Sequence, residues 1–418
     1  MKRLLLTSLL LLAALPCFCC TSVIISGRVT SDGRPLMLKH RDTGEQNNRV
    51  EHFSGPLYRF IGLVNSPSAG GEVWTGLNEA GFAIMNTASY NIKNDDVPES
   101  EMDREGQVMY RALGECRTLG DFELLLDALA RPMGVEANFG VIDAAGGAAY
   151  YEVNNDSWVK FDVNASAQGY RVVTNFSTSG REEDVQGYER YLTASDIMSE
   201  LRSSPKVWKS LNHSDLFNYI SRSYRHSLIG MDYAKDWKTL SRRTSFTGVA
   251  VDQDFIPRRI TSASIVVEGV AAGGNPAHSV MWTVLGYPAC SVAVPLLVAD
   301  SDRLPSYVKK SDSSNKAELC SLALRIKKNF VFTFKTSNGN KYFRIDNILK
   351  GVGETPSLLS CCTAAEKRID SSFFDLYRRW IGGEISDSAF YDGYAELSET
   401  YIDVYKESFH PFILQLGS

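Results

Sequence analysis

The chain lacks the common sequence signatures of hydrolytic active sites. It has only six histidines in 418 residues, and none of them lies in an HExxH pattern of the kind that binds catalytic zinc. No GxSxG sequence is present to carry a serine nucleophile on a strand-to-helix turn. These absences argue against zinc-dependent and serine-dependent hydrolysis, and they make a structural role the expected one for each histidine.

The excess of negative over positive charge is small, and cysteines are few. The formal net charge of −5 argues against a general nucleic-acid-binding surface. Eight cysteines in 418 residues are few for a disulfide-stabilised scaffold. The hydrophobic content of 44% is nevertheless enough for a substantial core, and neither internal repeats nor low-complexity tracts interrupt the sequence. The composition therefore predicts a folded protein of one large domain or two ordinary ones.

Long apolar runs are confined to the N-terminus. Met1–Arg3 is positively charged and is followed by the apolar run Leu4–Pro16. A run of about a dozen residues is too short to span a bilayer, which needs roughly 20, but it is typical of a secretory signal peptide. A later apolar stretch that begins at Cys290 is broken by Pro295. We therefore predict that residues 1–19 are a removed signal peptide, that the mature protein is exported (periplasmic or extracellular), and that it has no membrane span.

Three cysteines, Cys17, Cys19 and Cys20, stand at the end of the N-terminal apolar run. If the signal peptide is cut after Cys19, Cys20 becomes the first residue of the mature chain. Lipidation of one of these cysteines would instead anchor the protein to a membrane, although the preceding residues fit that motif poorly. A metal site made of these thiols has no partner CxxC pair or histidine cluster nearby. All three could also belong to a discarded leader, so the alternatives stay open at this point.

Alternation of apolar and polar residues predicts an antiparallel hairpin directly after Cys20. The segments "TSVIISGRVT" and "RPLMLKHRD" are strand-like, and Asp32-Gly33 between them is a strong turn signal. Strands grouped in hairpins, with helices between the groups, indicate an α+β fold in which helices cover antiparallel sheets. The other predicted elements are strand pairs around the turns 78–81 and 146–147, strands within 169–177, 244–252, 262–269 and 278–286, and helices over 102–130 (with a break at Gly120), 186–232, 313–335 and 363–410.

A cysteine at a free N-terminus carries its own base. The α-amino group has a reference pKa of about 7.7–8.0, so near neutral pH it can accept the proton of the thiol on the same residue. The thiolate can then attack a carbonyl carbon without help from a histidine. The predicted hairpin also returns Arg41 and Asp42 to within a few residues of Cys20, which adds charged groups to the same neighbourhood.

The order of several motifs resembles a known family. Cys20, "LKHRD", "GLNEAGFAI", "VTNFS" and "GYERY" follow one another as in the N-terminal nucleophile (Ntn) hydrolases of the choloylglycine hydrolase and penicillin acyltransferase-like group, to which acid ceramidase is a more distant relative. The resemblance extends from Cys20 to roughly residue 300. It implies a four-layer α/β/β/α sandwich of two antiparallel sheets flanked by helices, in a single catalytic domain over 20–418. The mostly helical part over 313–418 has no role that the resemblance explains.

The resemblance also implies roles for residues close to Cys20. Cys20 would be the nucleophile, its α-amine the base, and Asp42 the group that orients this amine. The family usually has arginine three residues before that aspartate, whereas this chain has Lys39 there and Arg41 beside Asp42. Which cation would stabilise the thiolate stays open, because lysine supplies a point charge and arginine a planar fork. Asp42 could also be a solvated carboxylate at the end of a strand.

Three residues further along the chain are implied as well. Asn175 would donate to the oxyanion of the tetrahedral intermediate, and Asn86, slightly displaced from the family's pattern, would be a second donor. Arg190 would point into the site from the start of a helix. The simpler explanations are a turn for Asn175 and a surface charge for Arg190. The rival arginines are Arg243, Arg258 and Arg259.

The predicted function is hydrolysis of a linear amide carbon–nitrogen bond, or transfer of its acyl group, through a thioester on Cys20. The expected partner is a small amide with an apolar acyl group. No metal or organic cofactor is implied, and neither oligomeric state nor disulfide pairing can be predicted. Two alternatives remain: a non-catalytic secreted binding protein of the same fold, and a lipid-anchored surface protein. Aromatic residues that could form an acyl pocket or belong to the core are Phe53, Tyr58, Phe60, Trp74 and Tyr90.

Overall fold

The computed structural model describes residues 20–92, 97–311, 313–335 and 341–417, so the predicted signal peptide over 1–19 lies outside the described residues. The strands are β1 (Cys20–Ile25), β2 (Leu36–Asp42), β3 (Asn48–Ser54), β4 (Arg59–Asn65), β5 (Thr75–Asn78), β6 (Ala83–Ala88), β7 (Ala137–Ile142), β8 (Ala148–Val153), β9 (Trp158–Asp162), β10 (Tyr170–Val173), β11 (Arg225–His226), β12 (Met231–Asp232), β13 (Val249–Val251), β14 (Thr261–Glu268), β15 (Val280–Leu285), β16 (Val294–Leu296) and β17 (Tyr342–Arg344). The α-helices are α1 (Glu105–Glu115), α2 (Leu119–Ala128), α3 (Tyr188–Ser203), α4 (Pro205–Lys209), α5 (His213–Leu216), α6 (Tyr233–Leu240), α7 (Glu318–Ile326), α8 (Ile345–Leu349), α9 (Leu358–Ile381), α10 (Asp387–Glu399), α11 (Tyr401–Ser408) and α12 (His410–Leu416).

The first sheet contains Cys20 in its second strand. Its six strands run in the order β10–β1–β2–β14–β15–β16, and each neighbouring pair is antiparallel. Cys20 is the first residue of β1 and pairs directly with Arg41 of β2. The predicted hairpin is confirmed, and Gly33 in its loop has a φ of 75°, a left-handed conformation that glycine adopts without a steric penalty. The hairpin thus brings the polar end of β2 to Cys20.

The second sheet is a meander. Its seven strands follow chain order from β3 to β9, and every neighbouring pair is antiparallel. The predicted turns are confirmed, with Gly81 between β5 and β6 and Gly146 between β7 and β8. The hairpin of β3 and β4 lies in a segment for which the sequence patterns predicted no strands. It forms one edge of this sheet and places its polar ends near β2.

The two sheets pack face to face. Strand β1 lies against β6 and β8, and β2 lies against β7. The contact is close at Gly140 of β7, where an added methyl group would lie 2.6 Å from Met85 and 3.1 Å from Ile24. Because side chains alternate along a strand, Ser22 and Cys20 share this inner face with Ile24. The intervening residues of β1 point towards the helices.

Helices cover both outer faces. On the second sheet, α1 packs on β4, β5 and β6, and a core that includes Phe60, Phe82 and Phe122 lies beneath α1 and α2. On the first sheet, α3 covers β1 and β10, α5 covers β14, and α7 and α9 lie on β15 and β16. The predicted fold class, two antiparallel sheets flanked by helices in a four-layer α/β/β/α sandwich, is therefore confirmed.

The C-terminal helices share a hydrophobic core with the first sheet. Phe373 and Trp380 of α9 and Phe390 of α10 are buried in the same cluster as Trp282 of β15. The rings of Trp380 and Phe390 stack with centroids 3.9 Å apart and planes 8° apart. The segment that the family resemblance leaves unexplained thus adds an aromatic layer to the sandwich. Within the described ranges, none of the helices combines the length and apolar character needed to cross a bilayer.

Two predicted helical segments differ from the structure. The segment predicted as helical over 186–232 also contains the short strands β11 and β12. The break that was expected at Gly120 lies instead between α1 and α2, at residues 116–118. The Thr118 side chain accepts a hydrogen bond from the Asp121 N–H, and the Asp121 carboxylate accepts one from the Thr118 N–H. This reciprocal cap starts α2 before Gly120, so the glycine lies inside its first turn.

Candidate active site

Cys20 lies at a point where one edge of β1 is left open. Strand β10 pairs with β1 only from Ser22 onward, because β10 ends at Val173. The N–H and C=O of Cys20 on that edge therefore need partners other than a β-ladder. Asn175 and Arg190 supply them from the loop after β10 and from α3.

Asn175 holds the nitrogen of Cys20. Its Oδ1 accepts hydrogen bonds from the Cys20 N–H at 2.9 Å and from Arg190 Nη2 at 2.9 Å. Its Nδ2 donates to the carbonyl oxygen of Ala88 at 3.0 Å. The side chain is fully buried, so these three bonds fix the orientation of the amide next to the Cys20 nitrogen.

Arg190 lies in the first turn of α3, and it too is fully buried. Its Nη1 donates to the carbonyl oxygen of Cys20 at 2.7 Å and to Thr21 Oγ1 at 3.2 Å. Its Nε lies 3.4 Å from Asp254 Oδ2. These contacts contradict the alternative of a surface charge. The guanidinium approaches the backbone of Cys20 from the helix-covered side of the sheet.

Two cations share the inner face with the Cys20 thiol. Lys39 and Arg41 of β2 point the same way as Cys20, because β1 and β2 pair Cys20 with Arg41. Lys39 Nζ donates to Asn86 Oδ1 at 2.6 Å and to the carbonyl oxygen of Trp74. Burial lowers the pKa of Lys39 to about 7, and the charge of the nearby Cys20 sulfur acts in the opposite direction.

Asparagine side chains and an indole ring position Arg41. Its Nη1 donates to Asn48 Oδ1 at 2.5 Å and its Nη2 to Asn65 Oδ1 at 3.0 Å. Its guanidinium lies 4.9 Å from the centroid of the Trp74 ring. Burial lowers the pKa of Arg41 to about 10, again against the effect of the Cys20 sulfur, and the group stays charged at neutral pH. The thiol therefore lies beside one permanent cation and one that titrates near neutrality.

Asp42 points to the opposite face of the sheet. The carboxylate accepts a hydrogen bond from Arg258 Nε at 2.8 Å. Arg258 is also paired with Asp254, which in turn lies against Arg190. Asp42 is thus connected to the backbone of Cys20 through a chain of ion pairs on the helix-covered face. The predicted effect of Asp42 on the α-amine would have to act through this chain.

The structure brings the seven predicted residues into one neighbourhood, on both faces of β1 and β2. Asn175 and Asp42 make contacts other than those predicted, since Asn175 accepts from the Cys20 nitrogen and Asp42 binds an arginine. Asn48, Asn65 and Asp254 complete the neighbourhood and were not predicted. Asn48 and Asn65 pair across the β3–β4 hairpin, a polar strand end that a search for hairpins could have found. The seven residues are Cys20, Lys39, Arg41, Asp42, Asn86, Asn175 and Arg190.

The aromatic residues suggested for an acyl pocket divide into two groups. Phe53 and Phe60 stack on each other and meet the Tyr110 ring of α1 edge to face, so they belong to the core on the outer face of the second sheet. Tyr58 lies on the same side, where its N–H donates to the carbonyl oxygen of Gly114 in α1. Trp74 lies on the inner face against Arg41, and the Tyr90 N–H donates to the carbonyl oxygen of Asn175. Only the second pair is therefore close to the residues around Cys20.

The other described cysteines are poorly suited to act as nucleophiles. All are buried and unpaired, and burial raises the pKa of each thiol, to about 12 for Cys116 and about 11 for Cys320. A thiol with such a pKa is almost wholly protonated near neutral pH. The remaining cysteines with raised pKa values are Cys290, Cys361 and Cys362.

Across the ranges given above, no cluster of three or more His, Cys, Asp or Glu side chains is placed to hold a metal ion.

No family model matches the chain, and no curated protein matches it in sequence. Solved structures with a similar fold include a Caenorhabditis elegans orthologue of N-acylethanolamine-hydrolyzing acid amidase, at 13% identity and a TM-score of 0.41 over 61% of this chain and 94% of that one. A variant of the conjugated bile acid hydrolase from Clostridium perfringens is 10% identical, with a TM-score of 0.37 over 64% of this chain and 89% of that one. Penicillin V acylase from Agrobacterium tumefaciens is 14% identical, with a TM-score of 0.38 over 66% and 86%. These likenesses carry no argument about function, so the geometry around Cys20 carries the case for an activity.

Proposed function

We propose that this chain is an exported Ntn hydrolase that becomes active when residues 1–19 are removed and Cys20 becomes the N-terminal residue. It would cleave a linear amide, or transfer the acyl group, through a thioester on Cys20. The observation that most supports this is the 2.9 Å hydrogen bond from the Cys20 nitrogen to Asn175 Oδ1, on the edge that β10 leaves open. A nitrogen held by a side chain can keep its place when it changes from a peptide amide to a free amine.

The α-amine would start the reaction as the base. Its reference pKa is about 7.7–8.0, so a useful fraction is neutral near pH 7. The Arg190 guanidinium contacts the carbonyl of the same residue, and its positive charge disfavours the ammonium form. The neutral amine takes the proton of the Cys20 thiol, directly or through one water molecule. The products of this step are a thiolate and an ammonium group on one residue.

The two inner-face cations would stabilise the thiolate. Arg41 stays protonated throughout the neutral range, whereas burial brings the pKa of Lys39 to about 7. A negative sulfur beside Lys39 favours the protonated lysine, so thiolate and ammonium support each other in a poorly solvated site. We infer that both cations would serve the thiolate, and that Lys39 is the one whose charge depends on pH.

The thiolate would attack the carbonyl carbon of the amide, forming a carbon–sulfur bond as the carbonyl electrons move to oxygen. Lys39 holds Asn86 by Oδ1, which leaves the Nδ2 end of that amide to donate to the oxyanion. Asn175 Nδ2, which also binds the carbonyl oxygen of Ala88, would be the other donor that the motif resemblance implies. When the carbon–nitrogen bond breaks, the α-ammonium protonates the leaving amine, and a thioester remains on Cys20.

Water would complete the cycle. The α-amine, neutral again, takes a proton from the attacking water, and the second tetrahedral intermediate expels the thiolate as the carboxylic acid forms. The proton on the ammonium then returns to the thiolate. An amine in place of water would give acyl transfer with the same groups. The Trp74 ring, which lies against Arg41 on the inner face, would suit an apolar acyl group.

The first test is the identity of the mature N-terminus and of its thiol. N-terminal sequencing of the exported protein should begin at Cys20, and a panel of acyl amides with chromogenic amines should be hydrolysed. Cys20→Ser should lose nearly all of this activity while keeping the fold, because a serine hydroxyl is far harder to ionise. Cys116→Ser is the matched control and should retain activity. A mature chain that starts beyond Cys20, or an active Cys20→Ser variant, would contradict the proposal.

The second test separates the amine from the thiol. A chain that begins Met-Cys20, expressed in the cytosol where the initiator methionine is removed, should be active without a leader. The same chain with one alanine between Met and Cys20 keeps the thiol but has a peptide nitrogen in place of the amine. It should be inactive, although iodoacetamide should still alkylate Cys20 at alkaline pH. Equal activity of the two chains would show that the α-amine is not the base.

A further inference from the structure

Asn91 is a buried asparagine outside the residues discussed so far, and its amide uses its full hydrogen-bonding capacity. Its Oδ1 accepts from the Ser177 N–H at 2.7 Å and from Ser89 Oγ at 3.0 Å. Its Nδ2 donates to the carbonyl oxygens of Ser177 at 2.8 Å and Arg181 at 3.0 Å. Two acceptor and two donor positions are all that an amide offers. Asn91 therefore fixes both the N–H and the C=O of Ser177.

Ser177 is the second residue after Asn175, and a second asparagine fixes the residue between them. Asn138 Nδ2 donates to the carbonyl oxygen of Phe176 at 3.2 Å, and Asn138 Oδ1 accepts from Ser177 Oγ at 2.5 Å. Asn91, Asn138 and Ser177 are all at most 2% exposed. In such surroundings a hydrogen-bond network that is fully satisfied orders the backbone strongly.

Asn91 also lies on the segment that continues from β6, which carries Asn86. This segment runs alongside the residues at Asn175: Ala88 accepts from Asn175 Nδ2 at 3.0 Å, and the Tyr90 N–H donates to the Asn175 carbonyl at 3.2 Å. Asn91 adds another connection between the two segments. It ties the segment that holds Asn86 to the loop that holds Asn175.

We propose that Asn91 is a positioning residue of the site, which sets the orientation of the Asn175 amide and through it the place of the Cys20 α-amine. This inference rests on the proposed function, since it assigns Asn91 a part in activating the Cys20 thiol. If the loop after Asn175 shifts, Asn175 Oδ1 moves away from the Cys20 nitrogen, and the amine no longer faces its thiol. The amine then accepts the thiol proton less readily, and Cys20 reacts more slowly near neutral pH.

The same loop has a second anchor that provides a matched control. Glu152 accepts hydrogen bonds from the N–H groups of Thr178 at 2.8 Å and Ser179 at 2.7 Å. Glu152 therefore binds residues of the loop that are farther along the chain from Asn175 than Ser177, which Asn91 binds. Glu152→Gln weakens the attachment of the loop without touching Ser177, so it should lower thermal stability and leave the thiol unchanged.

The experiment measures the rate of Cys20 alkylation by iodoacetamide against pH in the mature protein, which requires no substrate. In Asn91→Ala the midpoint should move to higher pH than in the wild type, with a wild-type rate at high pH. With an amide substrate, kcat should fall by up to about 10²-fold at nearly constant KM, as for a misplaced reacting group. Glu152→Gln should show the wild-type midpoint. An unchanged midpoint in Asn91→Ala, or an equal shift in Glu152→Gln, would overturn the proposal.

A second variant tests the position of Asn91 without removing any of its hydrogen-bonding groups. A methyl group added at Gly180 would lie 2.5 Å from the Asn91 side chain, so Gly180→Ala must displace the amide. This variant should shift the alkylation midpoint in the same direction as Asn91→Ala, even if Asn91→Ala itself folds poorly. A folded Gly180→Ala protein with the wild-type midpoint would count against the positioning role.

Failure of the proposed function would give a different result. Cys20 alkylation would then have the same midpoint with or without a residue before Cys20.

Discussion

Two groups of buried charges lie near opposite ends of the same pair of strands, β2 and β14. At one end Asp42 pairs with Thr261, close to Cys20 and its two cations. At the other end Glu268 pairs with Leu36, and Glu268 lies against the buried ring of His213 from α5. We call these groups the site cluster (Cys20, Lys39 and Arg41) and the distal cluster (His213, Glu268 and Asp370). Both lie against the same sheet, but they differ in how their charges are matched.

In the distal cluster the charged groups lie against groups of opposite sign. His213 Nδ1 lies 3.1 Å from Glu268 Oε1, and His213 Nε2 lies 3.4 Å from Asp370 Oδ1 of α9. The imidazole also stacks on Trp282, with centroids 3.5 Å apart. Burial acts to lower the pKa of His213, but the two carboxylates outweigh it and raise the pKa to about 9. The cluster is therefore built to keep an ion pair that joins α9 to the sheet.

In the site cluster the cations contact neutral groups and a thiol. Lys39 donates to an asparagine and a carbonyl, and Arg41 donates to two asparagines. Their pKa values are lowered by burial, the opposite of the shift at His213. A buried cation whose charged form is destabilised by burial is expected at a place where a negative charge forms during a reaction. In these two clusters the direction of the pKa shift follows the partners: cations held by neutral groups have lowered pKa values, and a histidine between two carboxylates has a raised one.

The largest loss of turnover short of removing Cys20 is expected at Asn175. Asn175→Ala removes both an oxyanion donor and the acceptor for the α-amine, so kcat should fall by about 10²–10³ or more, with little change in KM. Asn329→Ala, on an exposed helix end, is the control and should have normal kinetics. Steady-state kinetics with a cleavable amide measure the effect. Near-normal kcat in Asn175→Ala would mean that Asn175 is only a structural link.

A smaller loss of turnover, with a gain in stability, is expected at Lys39. Lys39→Met removes charge from the site cluster, so kcat should fall by roughly 10–100-fold as thiolate stabilisation is lost. The folded pKa of about 7 lies below the ordinary value of about 10.4, so the unfolded chain binds more protons between these values. The burial penalty is therefore complete below pH 7 and disappears above pH 10.4.

Urea unfolding of the two proteins measures this penalty. Lys39→Met should be more stable than the wild type at pH 7 and below, and the gain should shrink as the pH rises towards 10.4. The equivalent change in the distal cluster should be destabilising at the same pH. A loss of stability in Lys39→Met at pH 7 would erase the distinction between the clusters.

Lys39→Arg should have a milder effect that appears mainly in the pH dependence. Arginine keeps its charge across the neutral range, whereas the pKa of Lys39 is about 7. If loss of the Lys39 proton limits the wild type, activity should decline above neutral pH in the wild type and persist to higher pH in Lys39→Arg. The kcat at the optimum should change less than in Lys39→Met. A profile with the same alkaline limb in both proteins would place the limiting titration elsewhere.

Much of the site cluster could be predicted because it is local. The Asp32-Gly33 turn and the alternation of β1 and β2 bring Arg41 opposite Cys20, as the structure has it. The same alternation implies that Asp42 must point away from Cys20 if Arg41 points towards it. The family resemblance favoured Asp42 as a direct partner of the amine, and its actual partner, Arg258, is 216 residues away along the chain. Alternation within a strand is readable from sequence, whereas the residue that an outward side chain meets is not.

The distal cluster and the loop anchors could not be predicted for the same reason. His213 meets Glu268 and Asp370 across separations of 55 and 157 residues. Nothing local to a lone histidine indicates that two carboxylates will surround it. Asn91 likewise has no sequence signal, because a buried asparagine with four partners and an exposed one in a loop share the same letter. The capping pair of Thr118 and Asp121, three residues apart, was readable and was missed, as was the polar end of the β3–β4 hairpin.

The smallest effect on turnover is expected in the distal cluster, where His213→Gln should leave kcat and the Cys20 alkylation profile unchanged. Stability should fall instead, by about 3 kcal/mol or more near pH 6, because Glu268 loses its buried partner. The pKa of His213 is raised, so its contribution is complete below its ordinary value of about 6.5 and is lost as the pH rises through about 9. The pKa of Glu268 is lowered to about 2, as His213 and Arg34 outweigh the effect of burial, so its contribution is lost as the pH falls from about 4.5 through about 2. The stability difference between wild type and His213→Gln, measured by urea unfolding, should therefore be greatest between about pH 4.5 and 6.5 and shrink on both sides. A difference that stays constant from pH 5 to 9 would show that His213 contributes packing against Trp282 and not an ion pair, and the contrast between the two clusters would fail.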